Sequence, residues 1–469
     1  MKMFAMFPGG WKWGRGASVV GVTFGTMACK EMRMRLCGKK VLRTVGLALV
    51  MVMGFGVMTG AWAERVYFAG YKGGFYIKSE EEGGMALRLG GSFQTDYRFY
   101  GESERADNGF DIRRARLLFR GELTRWIAYG MEFEFQGAET DNLVEAWAEV
   151  VGSPTRVRMG QFKEPFSLEW QSRDNALLFA ERSMVYSLSP GRDVGMMVHA
   201  DHASMGLTWA LGVFNGDGRD GSEGTSEEDD PELAGRVTLQ PFAGMGEGLL
   251  RGLMVGASGT WASIDTQNID LSVKSTGMFG TSRNLYTLSH NTKFGVVQDV
   301  KDRLRVGAEA AWALGPALIS GEYARMAYRD MVPVGGARSD AVLSSWYAQA
   351  AWSLTGEHFA VAGGRLKPVT PERYFNPEEG TWGAMVLAAR YNRFNGDETW
   401  INPSAHVSVE EADQVSLALS WFPFPMVRAT LDLSRTELSD DIRVNVQPDG
   451  TVDYIDEENV VTFRVSMDF

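Results

Sequence analysis

The feature that most limits this chain is the two-residue period of its apolar positions, which recurs from about residue 88 to the C-terminus. In "MEFEFQ", Met131, Phe133 and Phe135 alternate with Glu132, Glu134 and Gln136, and in "TRVRMGQF", Val157 and Met159 alternate with Arg156 and Arg158. "TDNLVEAWAEVV" sets Val144, Ala146, Ala148 and Val150 against Glu145, Trp147 and Glu149. A helix wants apolar residues three and four apart, whereas a strand with two unlike faces wants them at every second place. The final stretch "VVTFRVSMDF" carries the pattern to the end: Val461, Phe463, Val465, Met467 and Phe469 share one face, and Thr462, Arg464, Ser466 and Asp468 the other.

Similar runs occur at about 88–100, 110–121, 125–136, 140–151, 155–163, 192–202, 204–214, 232–240, 250–261, 302–314, 316–329, 341–354, 356–367, 381–394, 411–422, 426–438 and 459–469. Many are near the ~9–11 residues a tilted strand needs to cross a bilayer. These 17 candidates conflict with the even strand numbers of single-chain bacterial barrels, so one is spurious or one is missed. We therefore expect 16 strands and keep 18 open. Tight turns at Thr124-Arg125, Ala203-Ser204 and Gly315-Pro316 contrast with long polar segments at 215–231, 262–301, 329–340, 368–380, 395–410 and 439–457. Short turns at one end and long loops at the other predict an all-β, transmembrane antiparallel β-barrel. A large secreted propeller or sandwich would show more even spacing or a motif repeated per blade, and no such repeat is visible.

The N-terminal region reads differently. From Met34, a positive stretch (Arg35, Lys39, Lys40, Arg43) precedes an apolar run from Val45 to Met58 and a small-residue site, Ala61-Trp62-Ala63. That is the pattern of a cleavable secretory signal, and the alternative is an uncleaved anchor. The expected division is residues 1–63 as leader (signal at about 34–63) and 64–469 as the barrel domain. The stretch upstream of Met32 reads as a misplaced start codon, and a lipoprotein signal at Cys29 or Cys37 is weakly supported. Removing residues 1–63 removes both cysteines, which excludes disulfides and thiolate metal sites. Nine of the 47 basic and one of the 59 acidic residues go with it, leaving 38 against 58, a net charge of about −20. That balance argues against nucleic-acid binding. After the leader no run approaches the ~18 apolar residues of a transmembrane helix.

Within this frame "DIRRARLLFR", Asp111–Arg120, has one reasonable placement. Arg114, Arg116 and Arg120 share a face with Leu118, while Ala115, Leu117 and Phe119 take the other. An arginine at mid-depth in lipid costs roughly 2–4 kcal/mol, so the three face the lumen. Arg156 and Arg158 do the same. Arg113 breaks the parity and is expected to snorkel to the interface near the strand end. Two readings of the lumen arginines stay open. They neutralise Glu132, Glu134, Glu145 and Glu149 on neighbouring strands, or they form a ladder that holds anions weakly enough to release them.

"GFDIRRARLLFRGEL", "VRMGQFKEPFSLEW", "SRDNALLFAERSMVYSLSPGRDVGMMV" and "WALGVFNGDG" follow in this order, with "AEAAWALGPALISGEY", "WYAQAAWSLTGE", "RLKP" and "ARYNRF" beyond. Over about residues 85–469 the chain resembles the phosphate-selective porins O and P. The resemblance implies a 16-stranded outer-membrane barrel of a Gram-negative bacterium, a homotrimer that passes small anions such as phosphate. It also implies that the segment from Lys163 to Arg192 folds inward as a constriction loop, with Lys163, Arg173, Arg182 and Arg192 as candidate constriction cations. Glu164, Glu169, Asp174, Glu181 and Asp193 intersperse with them. The family's lysine cluster does not carry over, because the seven lysines after the leader are scattered (Lys72, Lys78, Lys163, Lys274, Lys293, Lys301 and Lys367). Expected partners are small anions, outer-membrane lipid and lipopolysaccharide, and the barrel-assembly machinery acting through the strand that ends at Phe469.

The remaining chemistry is sparse. His199 and His202 stand three apart in "HADH" and point to opposite faces of a regular strand, so no metal site is expected. No nucleophile motif, phosphate-cradling loop or cofactor fingerprint occurs, and neither an enzyme nor a cofactor is expected. The acidic runs "SEEDD" (226–230) and "DEEN" (456–459) fall in expected loops. They leave two alternatives: a barrel with a mainly structural or surface-interaction role, and a general porin with little anion preference.

Overall fold

The computed structural model describes residues 66–469 except 72–73, 82, 102–107, 138–141, 153, 217, 219–230, 246–247, 265–268, 279–283, 290, 293–294, 334–335, 403 and 447–450. The expected leader, 1–63, and the run "SEEDD" lie outside the described residues.

Alternating sequences with one apolar face pair edge to edge until the sheet closes. The barrel strands are β1 (Ala86–Tyr100), β2 (Gly109–Thr124), β3 (Ile127–Glu134), β4 (Leu143–Val151), β5 (Thr155–Lys163), β6 (Arg192–His202), β7 (Leu207–Phe214) and β8 (Glu232–Leu239). They continue as β9 (Leu253–Ser263), β10 (Asp302–Leu314), β11 (Ala317–Pro333), β12 (Ser339–Ser353), β13 (Ala384–Asn395), β14 (Glu411–Phe424), β15 (Val427–Val446) and β16 (Val452–Asp468). Each pairs antiparallel with the next, and β16 closes on β1 with Val460 opposite Tyr100 and Asp468 opposite Ser92. Closure leaves no open edge, as backbone in hydrocarbon requires. The barrel wall thus has 16 strands and not 18.

The closure seam shows why the chain ends on an aromatic. The Phe469 amide donates to the Gly91 carbonyl (3.0 Å) and accepts from its amide through its own carbonyl (2.9 Å). A Cβ on Gly91 would lie 2.3 Å from the tip of the Phe469 ring, so only glycine leaves room there. Below this point an N-terminal hairpin, Tyr67–Tyr71 and Phe75–Ser79, takes over from β16 and pairs with β1 from Ala86 to Leu89.

Two expectations need correction. The run 356–367 is not a wall strand. It belongs to a connection, 354–383, that joins β12 to β13 at the short-turn end, so 368–380 is not one of the long loops of the opposite end. Its alternating part forms a miniature hairpin, Val361–Ala362 with Arg365–Leu366, turned by Gly363 (φ 60°) and Gly364 (φ 65°). Two consecutive positive-φ residues make the tight turn that a glycine pair permits.

The second correction concerns Arg113. The β1–β2 register runs Gln94 to Arg114 and then Thr95 to Ile112, which leaves Arg113 as the extra residue of a β-bulge. The bulge turns Arg113 inward, where its Nε donates to Glu181 at 2.8 Å. It does not snorkel. A charged side chain off parity has two escapes, the interface or a local change of parity, and the chain uses the second.

The outward face is apolar, with Met159, Met196, Leu211, Leu417, Phe463 and Met467 exposed where lipid would lie. Inside, the lumen is unevenly filled. Phe166, Met184, Val185 and Leu188 from the segment after β5 pack with Leu271, Leu285, Tyr328, Leu343, Tyr347 and Phe394. A second apolar cluster joins Leu168, Leu178 and Phe179 to Phe359, Leu366, Leu318, Val386 and Phe422. Burial on this scale, at ~25 cal/mol per Å² of apolar surface, fixes the inserted segments against the β9–β15 wall. On the facing wall Arg88, Arg120, Arg156 and Arg158 of β1, β2 and β5 keep exposed or partly exposed side chains.

Candidate functional site

Parity delivers the lumen cations and register selects their partners. Arg116, opposite Glu134 across β2–β3, pairs with Glu134 (2.7 Å) and Glu132 (3.1 Å). Arg120 lies between Glu132 (3.6 Å) and Glu145 (3.5 Å) and remains one-third exposed. Arg158 and Arg156 share Glu149 at 2.6 and 3.2 Å, and His199 meets the same carboxylate at 2.9 Å. Arg158 also lies 4.0 Å over the Trp147 ring. Pairing with wall carboxylates, one of the two readings the sequence left open, is the geometry of Arg116, Arg120, Arg156 and Arg158. Arg114 differs, because its carboxylate partner is Asp174 (3.3 Å), on the segment that crosses the lumen.

That segment, 164–191, leaves the end of β5 and reaches the far wall. Its short helix, Leu168–Gln171, is capped by Ser167, and the Leu168 and Glu169 amides donate to the Glu322 carboxylate of β11 at 2.7 and 2.8 Å. The Ala180 amide donates to Asp432 of β15 (2.9 Å), and Arg428 donates to the Leu177 carbonyl (2.5 Å). Arg390 of β13 donates to the Glu181 carbonyl at 3.2 Å, and Arg464 of β16 to the Ala180 carbonyl. Glu181 receives three guanidinium groups, Arg464 (2.6 Å), Arg113 (2.8 Å) and Arg98 (3.1 Å). Asp174 also receives three, Arg182 (2.7 Å), Arg114 (3.3 Å) and Arg116 (3.4 Å). Burial pushes both carboxyl pKa values up, but their arginines outweigh it and hold both well below the ordinary range. Much of the arginine wall thus pins an acid-bearing strap.

Four cations named from the sequence belong to this strap or its ends. Lys163 Nζ donates to the carbonyls of Trp170 (2.7 Å) and Ser172 (3.4 Å). Arg192 pairs with Glu145 at 3.1 Å, and Lys163, Arg182 and Arg192 lie 4.6, 5.5 and 5.1 Å from the Trp170 ring. Arg173 is the exception, being exposed and without a carboxylate partner among the described residues.

The connection 354–383 rises to meet the strap from the short-turn end. The Phe359 amide donates to the Gly315 carbonyl (2.8 Å), and Gln240 donates to the Val361 carbonyl (2.9 Å). Arg236 donates to the Gly364 carbonyl (2.7 Å), and the Leu366 amide to Ser172 Oγ (3.0 Å). This insertion presents Arg365 and Lys367, both exposed and, like Arg88, without a carboxylate partner among the described residues. The pKa of Arg365 is pushed down to about 10 by its depth in the barrel and then by Arg236, Arg158, Arg173 and Arg120. Lys367 is lowered by burial, Arg365 and Arg173, and Arg173 by burial, Arg120 and Arg88. Neighbouring cations thus depress Arg173, Arg365 and Lys367, which with Arg88 and Arg120 form one cluster of positive charge.

Arg365, Lys367 and Arg88 were not singled out from the sequence. The usable signal was "AGGR", since a glycine pair between short apolar runs marks a tight hairpin and not a wall strand.

The model of the family described as "Phosphate-selective porin O and P" matches residues 87–469. Porin O of Pseudomonas aeruginosa is 26% identical over 380 residues, covering 75% of this chain and 82% of that protein. Among solved structures, an anion-selective porin from Comamonas acidovorans is 13% identical with a TM-score of 0.49, covering 82% of this chain and 100% of that one. The outer-membrane expressed OmpT of Vibrio cholerae is 12% identical with a TM-score of 0.47, covering 83% and 99%.

Proposed function

This chain belongs to the phosphate-selective porin O and P family, and from that premise we propose that its unneutralised lumen cations select the small anions, phosphate among them, that it passes. It is an outer-membrane porin, a channel and not an enzyme. The observation that carries the residue assignment is the meeting of strap and insertion, where Arg173, Arg365 and Lys367 stand exposed without carboxylate partners among the described residues. Arg88 extends the cluster along β1, and the paired but partly exposed Arg120, Arg156 and Arg158 border it along β2 and β5. An anion moving along them exchanges part of its hydration shell for guanidinium donors and is passed on, because each site is open to water and none encloses it. The wall arginines Arg114 and Arg116, with Lys163, Arg182 and Arg192, act chiefly by holding the strap that narrows the path. The acidic outer loops do not decide selectivity, since an ion in the lumen responds to the nearest charges.

The assembled form is a homotrimer in outer-membrane lipid and lipopolysaccharide, reached after cleavage behind Ala63. The barrel-assembly machinery reads the strand that ends at Phe469. The test of the assignment is single-channel recording in planar bilayers. Reversal potentials in a salt gradient should give anion preference, phosphate should block chloride current, and Arg173→Gln with Arg365→Gln and Lys367→Gln should weaken both. Unchanged selectivity in that triple variant refutes the assignment.

A further inference from the structure

Of the strap's four carboxylates, Glu164, Glu169 and Glu181 are buried and only Asp174 retains contact with lumen water. Asp174 is also the sole carboxylate within ion-pair distance of two arginines among the described residues, Arg182 at 2.7 Å and Arg114 at 3.3 Å. Arg116 closes the same cage at 3.4 Å while keeping Glu132 and Glu134. One monoanionic carboxylate therefore sits where three guanidinium groups converge. Arg114 turns its Nε to this carboxylate and donates its Nη1 to Gln94 at 2.7 Å. Its sequence neighbour, Arg173, is one of the exposed cations of the path.

We propose that Asp174 is a tethered competitor for the permeating anion, the residue that sets how weakly this porin holds what it passes. The proposal rests on the reading that lumen cations attract the anion, and it adds that a water-accessible cation site in the constriction is already filled from within. A tetrahedral oxyanion has the charge and the acceptors for this cage. It gains entry only by displacing a carboxylate that is covalently held at high local concentration. The competitor stays charged throughout the physiological range, because its arginines outweigh the effect of burial on its carboxyl. The consequence is kinetic: a porin that bound phosphate tightly at mid-path would pass it slowly, and Asp174 keeps the site shallow.

The experiment compares the wild-type protein with Asp174→Asn and Asp174→Glu in planar bilayers, reading block of chloride current by inorganic phosphate. Asp174→Asn is expected to tighten the block by on the order of tenfold, the scale of one charge-assisted contact, with longer closed times. Asp174→Glu should leave it near wild type. Glu181→Gln, which leaves Asp174 charged on its own three arginines, should not tighten it. Equal block in Asp174→Asn and wild type, or equal tightening in Glu181→Gln, overturns the proposal. Should Asp174→Asn fail to give a barrel that migrates as folded on an unboiled gel, Asp174→Asn with Arg182→Gln removes the shortest pair together. That variant leaves Arg114 free, and tightening is expected there as well. A wild-type channel without anion preference would instead refute the underlying reading, and the wild-type recording alone detects that.

Discussion

Glu181→Gln tests whether the arginine wall holds the strap in place. The carboxylate accepts from Arg464 Nη2 at 2.6 Å, Arg98 Nη2 at 3.1 Å, and Arg113 Nε and Nη2 at 2.8 and 3.2 Å. Arg464 and Arg98 keep a second carboxylate, Asp96, at 2.6 and 3.0 Å. Arg113 keeps none among the described residues, so the damage concentrates there. Removing one partner of a buried pair costs about 3–5 kcal/mol. The Arg113 side chain is 22% exposed and glutamine retains one acceptor oxygen, so we take about 2–3 kcal/mol. That loss raises the released population of the strap roughly 30- to 150-fold. Hydrogen exchange provides the assay, since the Ala180 amide donates to Asp432 (2.9 Å) and the Ser183 amide to Glu169 (2.8 Å). Their protection should fall by that factor while amides in the β2–β3 ladder keep theirs. Unchanged protection at Ala180 and Ser183 would mean that apolar packing alone seats the strap.

Other outcomes follow from the same geometry. Arg365→Gln with Lys367→Gln should lower the anion-to-cation permeability ratio more than Arg156→Gln, because Arg156 already shares Glu149 at 3.2 Å; reversal potentials in a potassium chloride gradient compare them. Gly91→Ala forces a Cβ toward the Phe469 ring, at 2.3 Å without relaxation. It should cost about 1–3 kcal/mol, read as a lower temperature at which the folded band is lost on a gel. The depressed carboxyls of Asp174 and Glu181 give strap seating a defined acid response. Their contribution is fully present above the unfolded values of about 4 and is lost as pH falls through the lower folded ones. Current noise from strap release should therefore stay flat from neutrality to about pH 4 and rise only below it.

The parity argument placed Arg114, Arg116, Arg120, Arg156 and Arg158 in the lumen because a lipid-facing arginine is costly, and that reasoning needs only neighbours in sequence. The wall partners Glu132, Glu145 and Glu149 were equally legible, since they lie one or two strands away. What stayed hidden depends on chain that returns from far off. Glu181 is 283 residues from Arg464 and Asp432 is 252 from Ala180, and no periodicity encodes such a meeting. The Arg113 bulge was hidden for a related reason: the strand breaks its parity to reach Glu181, a residue of the strap. The insertion 354–383 misled because its few alternating residues satisfy the pattern of a wall strand, while Gly363 and Gly364 make it a hairpin at positive φ.

The acidity of the chain and the cationic path are compatible because several lumen carboxylates each serve more than one arginine. Glu132 serves Arg116 and Arg120, Glu145 serves Arg120 and Arg192, Glu149 serves Arg156 and Arg158, and Glu232 serves Arg303 and Arg305. Sharing of this kind leaves positive charge over. It suits arginine, whose planar fork can donate to two carboxylates at once, whereas a lysine would concentrate its charge at one point. The preponderance of arginine over lysine after the leader follows from this. Much of the acid instead lies at the outer ends of long strands, where Glu437 and Glu457 meet Arg435, and Glu411 and Asp413 meet Arg393. At physiological ionic strength exposed charges are screened over about 8 Å, so those carboxylates act on solute near the mouth. Beyond that distance Arg120, Arg173, Arg365 and Lys367 are the charges nearest the path proposed for the anion.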